Sequence, residues 1–441
     1  MIHRKDLFMY SKKFSLDLQL ALLLSLLMLG FAGSAGAADF KVLLAFDGSN
    51  GALPRWQTLT FDSSGNLYGA SAGGSWYYGG VVYKLVPNPD GTWVQSILTS
   101  FDGGLDGWDV YSGVVFDNAG NLYGETGSGG PLPGGCGFYT SNGCGTVYKL
   151  APNPDGSWAR TFVHTFEGRS DGRAPGHGLV SDAAGNFYGT TESDGLCDGA
   201  ISRDNKCGTV FQLTSNPDGS WTHEVIDYFP KTGTFPQGGL AIDAAGAMYG
   251  TTEWGGGLGS CDNNSCGTVF KLAPNPDGTW AETVLHRFGN ALDGSRPIGG
   301  VIFDSDGNLY GTTYSGGDTA CDCGTVFRLT PNPDGSWTEH VLLRFAGGGL
   351  GKNPSAGLAM DSAGNLYGTA YSGGAHGYGT VFKLRPNVDG TWTKSVLHAF
   401  SGGWDGSNPW SKLILDPAGD LYGTASTGGR GRNGVVFEIV P

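Results

Sequence analysis

The stretch Asp304-Ser305-Asp306-Gly307-Asn308-Leu309-Tyr310-Gly311, followed by Gly324-Thr325-Val326-Phe327-Arg328-Leu329 and by Asn332-Pro333-Asp334-Gly335-Ser336-Trp337, decides the fold because the chain repeats it. Its opening aspartate recurs at Asp62, Asp117, Asp182, Asp243, Asp304, Asp361 and Asp416, and its glycine at Gly80, Gly145, Gly208, Gly267, Gly324, Gly379 and Gly434. Six copies run on to Trp93, Trp158, Trp221, Trp280, Trp337 and Trp392. Alternating apolar residues between Asp, Asn and Gly turns read as short antiparallel strands. In this copy strand A is expected over 299–303, B over 308–313, C over 325–329 and D over 337–345. Seven units averaging about 58 residues are too long for solenoid rungs and suit four-stranded blades. The expectation is an all-β, seven-bladed β-propeller.

The two ends supply an independent argument. Val435-Val436-Phe437-Glu438-Ile439 is a strand C without its D, and Phe40-Lys41-Val42-Leu43-Leu44-Ala45-Phe46 is a strand D without its A, B and C. The second therefore completes the blade begun by the first and closes the ring, which leaves no long sheet edge exposed.

Outside that pattern stand residues 1–37. Arg4, Lys5, Lys12 and Lys13 precede an apolar run over 18–31 and then the small residues Ala35-Gly36-Ala37. This is the layout of a signal peptide, leaving 38–441 as a single propeller domain in a secreted, periplasmic or cell-surface protein. No later segment is apolar enough for a membrane span. The net charge of −14, with no basic stripe, argues against nucleic acid as a partner. With 79 glycines, 12% aromatic and 15% charged residues, the composition is that of turn-rich strands, not of disorder.

The segments Gly364-Asn365-Leu366-Tyr367-Gly368-Thr369 and Gly379-Thr380-Val381-Phe382-Lys383-Leu384, with their counterparts, resemble the Gloeo/Verruco (GloVer) tandem repeat of exported bacterial proteins. The resemblance spans essentially the whole mature chain. It implies an exported repeat protein and no defined catalytic residues.

Variation is confined to one place. From the strand B tyrosine to the strand C glycine the separation runs 12, 22, 20, 18, 14, 12 and 12, whereas glycine to tryptophan is 13 in all six complete copies. Insertions in one connection emerge on one rim, which the D-to-A connections share, and such a rim is where a propeller binds. Trp56, Trp76, Trp108, Trp254, Trp404 and Trp410, with Tyr77, Tyr78, Phe138, Tyr139, Tyr314 and Tyr371, all fall in these connections. They either wedge between blades or form a platform for a ligand. Four residues after each strand B tyrosine stand Ala72, Gly127, Glu192, Glu253, Tyr314, Tyr371 and Ser426. Glu192, Glu253, Tyr314 and Tyr371 occupy consecutive blades, and carboxylates beside aromatic rings suit a polyol.

Eight cysteines form the local pairs Cys136/Cys144, Cys197/Cys207, Cys261/Cys266 and Cys321/Cys323, each inside a B-to-C hairpin. In an exported chain these read as disulfides, although a one-residue spacer strains the last. Asp106, Asp171, Asp293 and Asp405 sit in Asp-Gly turns without the alternating ligands of a calcium loop. His164, His286 and His398 share one strand D position, and His223 and His340 lie elsewhere on that strand. These histidines are expected on separate blades, spread around the circumference. No metal site, no cofactor and no catalytic triad is expected.

The sequence therefore points to a monomeric, non-catalytic binding module for carbohydrate or an extracellular protein. Its candidate ligand residues are Glu192, Glu253, Trp254, Tyr314, Tyr371, Trp108, Trp404 and Trp410. The alternative is a hydrolase or lyase acting on a polysaccharide or lactone through Glu192 and Glu253.

Overall fold

The computed structural model describes residues 38–441 except 57, 74–78, 132–135, 137–142, 195–206, 230–232, 258–265, 290–291 and 319. Residues 1–37, expected to form a leader, and Trp76, Tyr77, Tyr78, Phe138, Tyr139, Cys197 and Cys261 lie outside the described residues. Phe40–Val440 is one compact unit.

Seven antiparallel sheets make seven blades, numbered here from the first strand A. In blade 5 strand A is Ile302–Phe303, B is Leu309–Thr313, C is Thr325–Pro331 and D is Trp337–Arg344. Strand A is shorter than expected. Its leading residues Gly299 and Gly300 leave the ladder to pack against neighbouring blades: a Cβ on Gly299 would lie 2.6 Å from the Ala356 carbonyl carbon, and one on Gly300 would overlap the Gly239 carbonyl oxygen. Blade 7 runs Ile414–Leu415, Leu421–Thr427 and Val435–Val440, and Asp39–Ala45 adds its outer strand. The N-terminal strand thus closes the ring as the half-repeats require.

The Asp-x-x-Gly-Asn-Leu-Tyr sequence has a side-chain reason. Asp304 Oδ1 accepts hydrogen bonds from the backbone N–H groups of Asp306 and Asn308, both at 2.9 Å. Its Oδ2 accepts from Asn308 Nδ2 at 2.7 Å and from the Tyr310 hydroxyl at 3.0 Å. One carboxylate so fixes the A-to-B turn and ties it to strand B. The arrangement recurs at Asp62, Asp117, Asp182 and Asp361.

Blades are joined by aromatic pairs. The phenylalanine closing each strand D packs on the strand C ring of the next blade: Phe101 on Tyr148, Phe166 on Phe211, Phe229 on Phe270, Phe288 on Phe327, Phe345 on Phe382 and Phe400 on Phe437. Phe46 on Tyr83, 5.5 Å between centroids, completes the circle. Nearer the axis a strand B hydroxyl reaches the next blade's innermost segment, as in Thr312 Oγ1 to the Ala356 carbonyl at 2.9 Å and Thr424 Oγ1 to the Pro54 carbonyl at 3.1 Å. Blade 2 has Glu125 at this position, accepting from the Gly178 N–H at 3.0 Å, and its burial pushes the carboxyl up to about 7.

Two predictions follow from these joints. Phe46→Ala opens a cavity at the closing seam and is expected to cost about 3–5 kcal/mol in chemical denaturation. Glu125 has a folded-state pKa above its unfolded value, so its ionisation opposes folding: the stability it contributes is complete below about pH 4 and declines as pH rises through about 7. Glu125→Gln is therefore expected to flatten the fall in melting temperature between about pH 4.5 and 7.

Candidate functional site at the channel mouth

The innermost segments of all seven blades line an axial cavity of about 200 Å³. Four residues before the turn aspartates, the wall carries Thr58, Gly113, Gly178, Gly239, Gly300, Gly357 and Lys412. Glycine permits the close approach, since a Cβ on Gly113 would overlap the Thr58 carbonyl oxygen. Thr58 and Lys412 depart from glycine, and Lys412 adds a cationic chain to the channel wall. Burial pushes its pKa down. Among the described residues no hydrogen bond or ion pair to its ammonium is seen.

Two residues further towards the rim stand Trp56, Tyr111, Gly176, Gln237, Ile298, Ser355 and Trp410. On one side of the mouth they form an aromatic arc. Tyr371 packs on Trp410 with centroids 4.5 Å apart, Trp410 on Trp56 at 5.0 Å, and Trp56 on Tyr111 at 5.1 Å. All four rings remain partly exposed.

The other side is polar. Glu253 is buried and accepts from Arg296 Nε at 2.8 Å and Nη2 at 2.5 Å. The guanidinium lies 4.9 Å from the Trp254 ring and 5.0 Å from that of Tyr314, so the ion pair is capped by two aromatic faces. Glu192 accepts from Gln237 Nε2 at 2.9 Å. Burial raises the Glu192 carboxyl, and the Gln237 bond pulls the other way. His177 Nε2 is 4.0 Å from Glu192 Oε1, and burial holds the imidazole neutral by pushing its pKa down to about 4.

Backbone strain positions several of these groups. Leu53, Asp109, Ala174, Phe235, Arg296, Asn353 and Asn408, one from each blade's rim connection, have φ between 51° and 59°. All but Asp109 precede a proline. Such a conformation costs about 1–3 kcal/mol in a non-glycine residue and marks functional surfaces. It brings Asn353 Nδ2 to the Tyr314 carbonyl at 3.0 Å and Asn408 Nδ2 to the Tyr371 carbonyl at 3.2 Å.

Of the residues singled out in the sequence, Glu192, Glu253, Trp254, Tyr314, Tyr371 and Trp410 therefore gather at this rim. Trp108 pairs its backbone with Ser128, at 2.9 and 3.2 Å, as Trp254 does with Thr234. One does not join them. Trp404 is 60% exposed and lies edge-on to Phe40 at the outer strands, because Gly403 and Gly406 loop its segment away from the axis. Trp56, Tyr111, Gln237, His177, Arg296 and Lys412 join the site instead. Counting back four to six residues from each turn aspartate would have found all but Arg296, whose signal is the recurring X-Pro in the rim connection.

The sequence matches the Gloeobacter/Verrucomicrobia repeat over residues 31–259 and again over 259–441. The chain belongs to that repeat family. No curated protein matches it. Among solved structures, this member of the Gloeobacter/Verrucomicrobia repeat family is similar to a putative gluconolactonase (18% identity, TM-score 0.35, 67% of this chain and 84% of that one). It is also similar to a glucose dehydrogenase (15%, TM-score 0.44, 91% and 99%) and to a fungal alcohol oxidase of the AA5 family in complex with copper (13%, TM-score 0.49, 92% and 77%). Likeness at this level carries no argument about activity.

In this repeat protein the cysteines behave as expected where described. Cys136 is bonded to Cys144 and Cys321 to Cys323, while Cys207 and Cys266 are also in disulfides. The histidines do not. His164 and His223, expected far apart, stack with ring centroids 3.8 Å apart, because strands D of blades 2 and 3 run side by side and point these rings into one seam. Asp171 lies between them, 3.2 Å from each, so the rim aspartates do more than turn the chain. Among the described residues no helix is long and apolar enough to cross a membrane.

Arg296→Met leaves the Glu253 carboxylate buried without its partner and is expected to destabilise the protein by about 2–4 kcal/mol in urea denaturation. Adding Glu253→Gln is expected to recover most of that loss.

Proposed function

We propose that this propeller is an exported, non-catalytic module that binds carbohydrate at the mouth of its axial channel. The observation that carries the reading is the juxtaposition of an aromatic arc, Tyr371-Trp410-Trp56-Tyr111, with the polar arc of Glu253-Arg296 and Glu192-Gln237 around one opening. A sugar ring has apolar C–H faces that lie on aromatic rings and equatorial hydroxyls that bond in its plane. The mouth offers both around one opening, and Lys412 stands in the channel wall to donate to an oxygen that descends into it. Export to the cell surface, periplasm or medium is consistent with the leader-like residues 1–37 and with disulfides in the rim hairpins.

Hydrolysis through Glu192 and Glu253 is less well supported. Both nitrogens of the Arg296 fork fall on Glu253 Oε1, which leaves that carboxylate committed to an ion pair. Glu192 is committed to Gln237.

A glycan array probed with residues 38–441, run beside a screen for glycosidase, lyase and lactonase turnover, tests the proposal. Saturable binding without turnover is expected, with Trp410→Ala and Lys412→Met each lowering affinity about tenfold, roughly 1.4 kcal/mol. Retention of parental affinity in Trp410→Ala, capture of proteins but no glycan, or turnover abolished by Glu253→Gln would each overturn it.

A further inference from the structure

Three positions meet wherever two blades adjoin at their outer strands. They are the residue six after a strand D tryptophan, the residue thirteen after it, and the residue two after the next blade's tryptophan. Between blades 1 and 2 they hold Thr99, Asp106 and Arg160, and the arginine pairs with the aspartate and reaches Thr99 Oγ1 at 3.4 Å. Between blades 6 and 7 His398 bonds Asp405 at 3.1 Å, and Phe40 stacks on the imidazole at 3.7 Å. These seams close by charge matching or by stacking. Two others collect three metal-ligating side chains instead: His164, Asp171 and His223 between blades 2 and 3, and His286, Asp293 and Glu339 between blades 4 and 5.

We propose that these two seams are binding sites for a divalent transition-metal ion of the zinc class, tying the outer strands of adjacent blades. In the first seam His164 Nε2 is 3.2 Å from Asp171 Oδ2, and His223 Nδ1 is 3.2 Å from Asp171 Oδ1. In each seam the three ligand atoms lie within 4.8 Å of one another. Metal–ligand bonds of about 2.0–2.2 Å in a tetrahedron place neighbouring ligands about 3.3–3.5 Å apart, a spacing within reach of these atoms. In the first seam the two stacked, parallel imidazoles must rotate out of their stack for both lone pairs to meet one ion. Two imidazoles and a carboxylate in the first seam, and an imidazole with two carboxylates in the second, include nitrogen donors that suit zinc, nickel or copper better than calcium or magnesium, which take oxygen. The backbone N–H of Glu167 donates to Asp171 Oδ2 at 2.8 Å and so fixes that carboxylate, and Phe166 lies edge-on to both imidazoles.

The second seam adds an independent observation. His286 Nε2 and Glu339 Oε1 are buried and have no hydrogen-bond partner, the nearest approach being Asp293 Oδ2 at 3.6 Å from the imidazole nitrogen, and both belong to the same three-residue cluster. Buried polar atoms of this kind call for a partner. A cation satisfies a nitrogen lone pair and a carboxylate oxygen together, which the 3.6 Å approach of Asp293 Oδ2 to His286 Nε2 does not. The pattern is local to two seams of one scaffold, and the other seams show that blade packing does not demand it.

The test uses residues 38–441 with disulfides intact, stripped with EDTA and titrated with zinc by calorimetry and by metal analysis after gel filtration. Two zinc equivalents, a rise in melting temperature, and a cobalt(II) visible spectrum typical of tetrahedral nitrogen and oxygen ligation are expected. His223→Ala and Glu339→Ala are each expected to remove one equivalent, weakening that site at least tenfold, about 1.4 kcal/mol or more. The double variant is expected to show no zinc-dependent melting shift. Melting in EDTA establishes that each variant is folded. A parent that retains no zinc and gives no cobalt spectrum overturns the proposal and leaves the seams as hydrogen-bonded clasps. So do folded variants that still bind two equivalents.

Discussion

Seven aromatic pairs, each made by the phenylalanine at the end of one blade's outer strand and the strand C ring of the next, hold the molecule in a circle. Every member of the set is at most 2% exposed. Edge-to-face rings in this range contribute about 0.5–1.5 kcal/mol beyond their buried area, and their geometry fixes the angle between successive sheets. A second set, such as Trp158 on Tyr68 and Trp93 on Tyr422, repeats the constraint nearer the opposite rim. Because an angle repeated seven times must return to its start, no seam can change its packing alone. Phe46 and Phe40, contributed by the N-terminal strand, are therefore as central as any internal core residue.

That circular constraint leaves two places where residues vary from blade to blade, the axial mouth and the outer clefts between blades. At the axis the inner segments carry glycine so that seven backbones converge, and the rim residues that follow turn through positive φ and project side chains over the opening. Substitution there alters the mouth without altering the seams. Trp56 and Trp410 on one side and Arg296 and Glu253 on the other come from rim connections of different blades, and so one arc is aromatic and the other ionic. At the circumference the outer strands leave a three-residue cleft per seam, filled by arginine and aspartate in one place and by imidazoles and carboxylates in another.

The disulfides fit the same division. Cys136–Cys144 and Cys321–Cys323 close loops within single hairpins, so each acts on the rim and not on the ring. Stability comes from the repeated seams, whereas the hairpins carry the variation in length.

Repeat spacing and hairpin chemistry are local properties, and so the number of blades, the strand order and the closure by Phe40–Phe46 could be read from the sequence alone. The turn aspartates announce themselves because one carboxylate serves partners only two, four and six residues away. What lies across a seam is not local. His164 and His223 are fifty-nine positions apart in the chain and 3.8 Å apart in space, and nothing in either repeat marks the other as its neighbour. The same holds for Arg296 with Glu253 and for Lys412 in its row of glycines. Those groupings depend on the rotation between adjacent blades, and only the packed ring sets that angle.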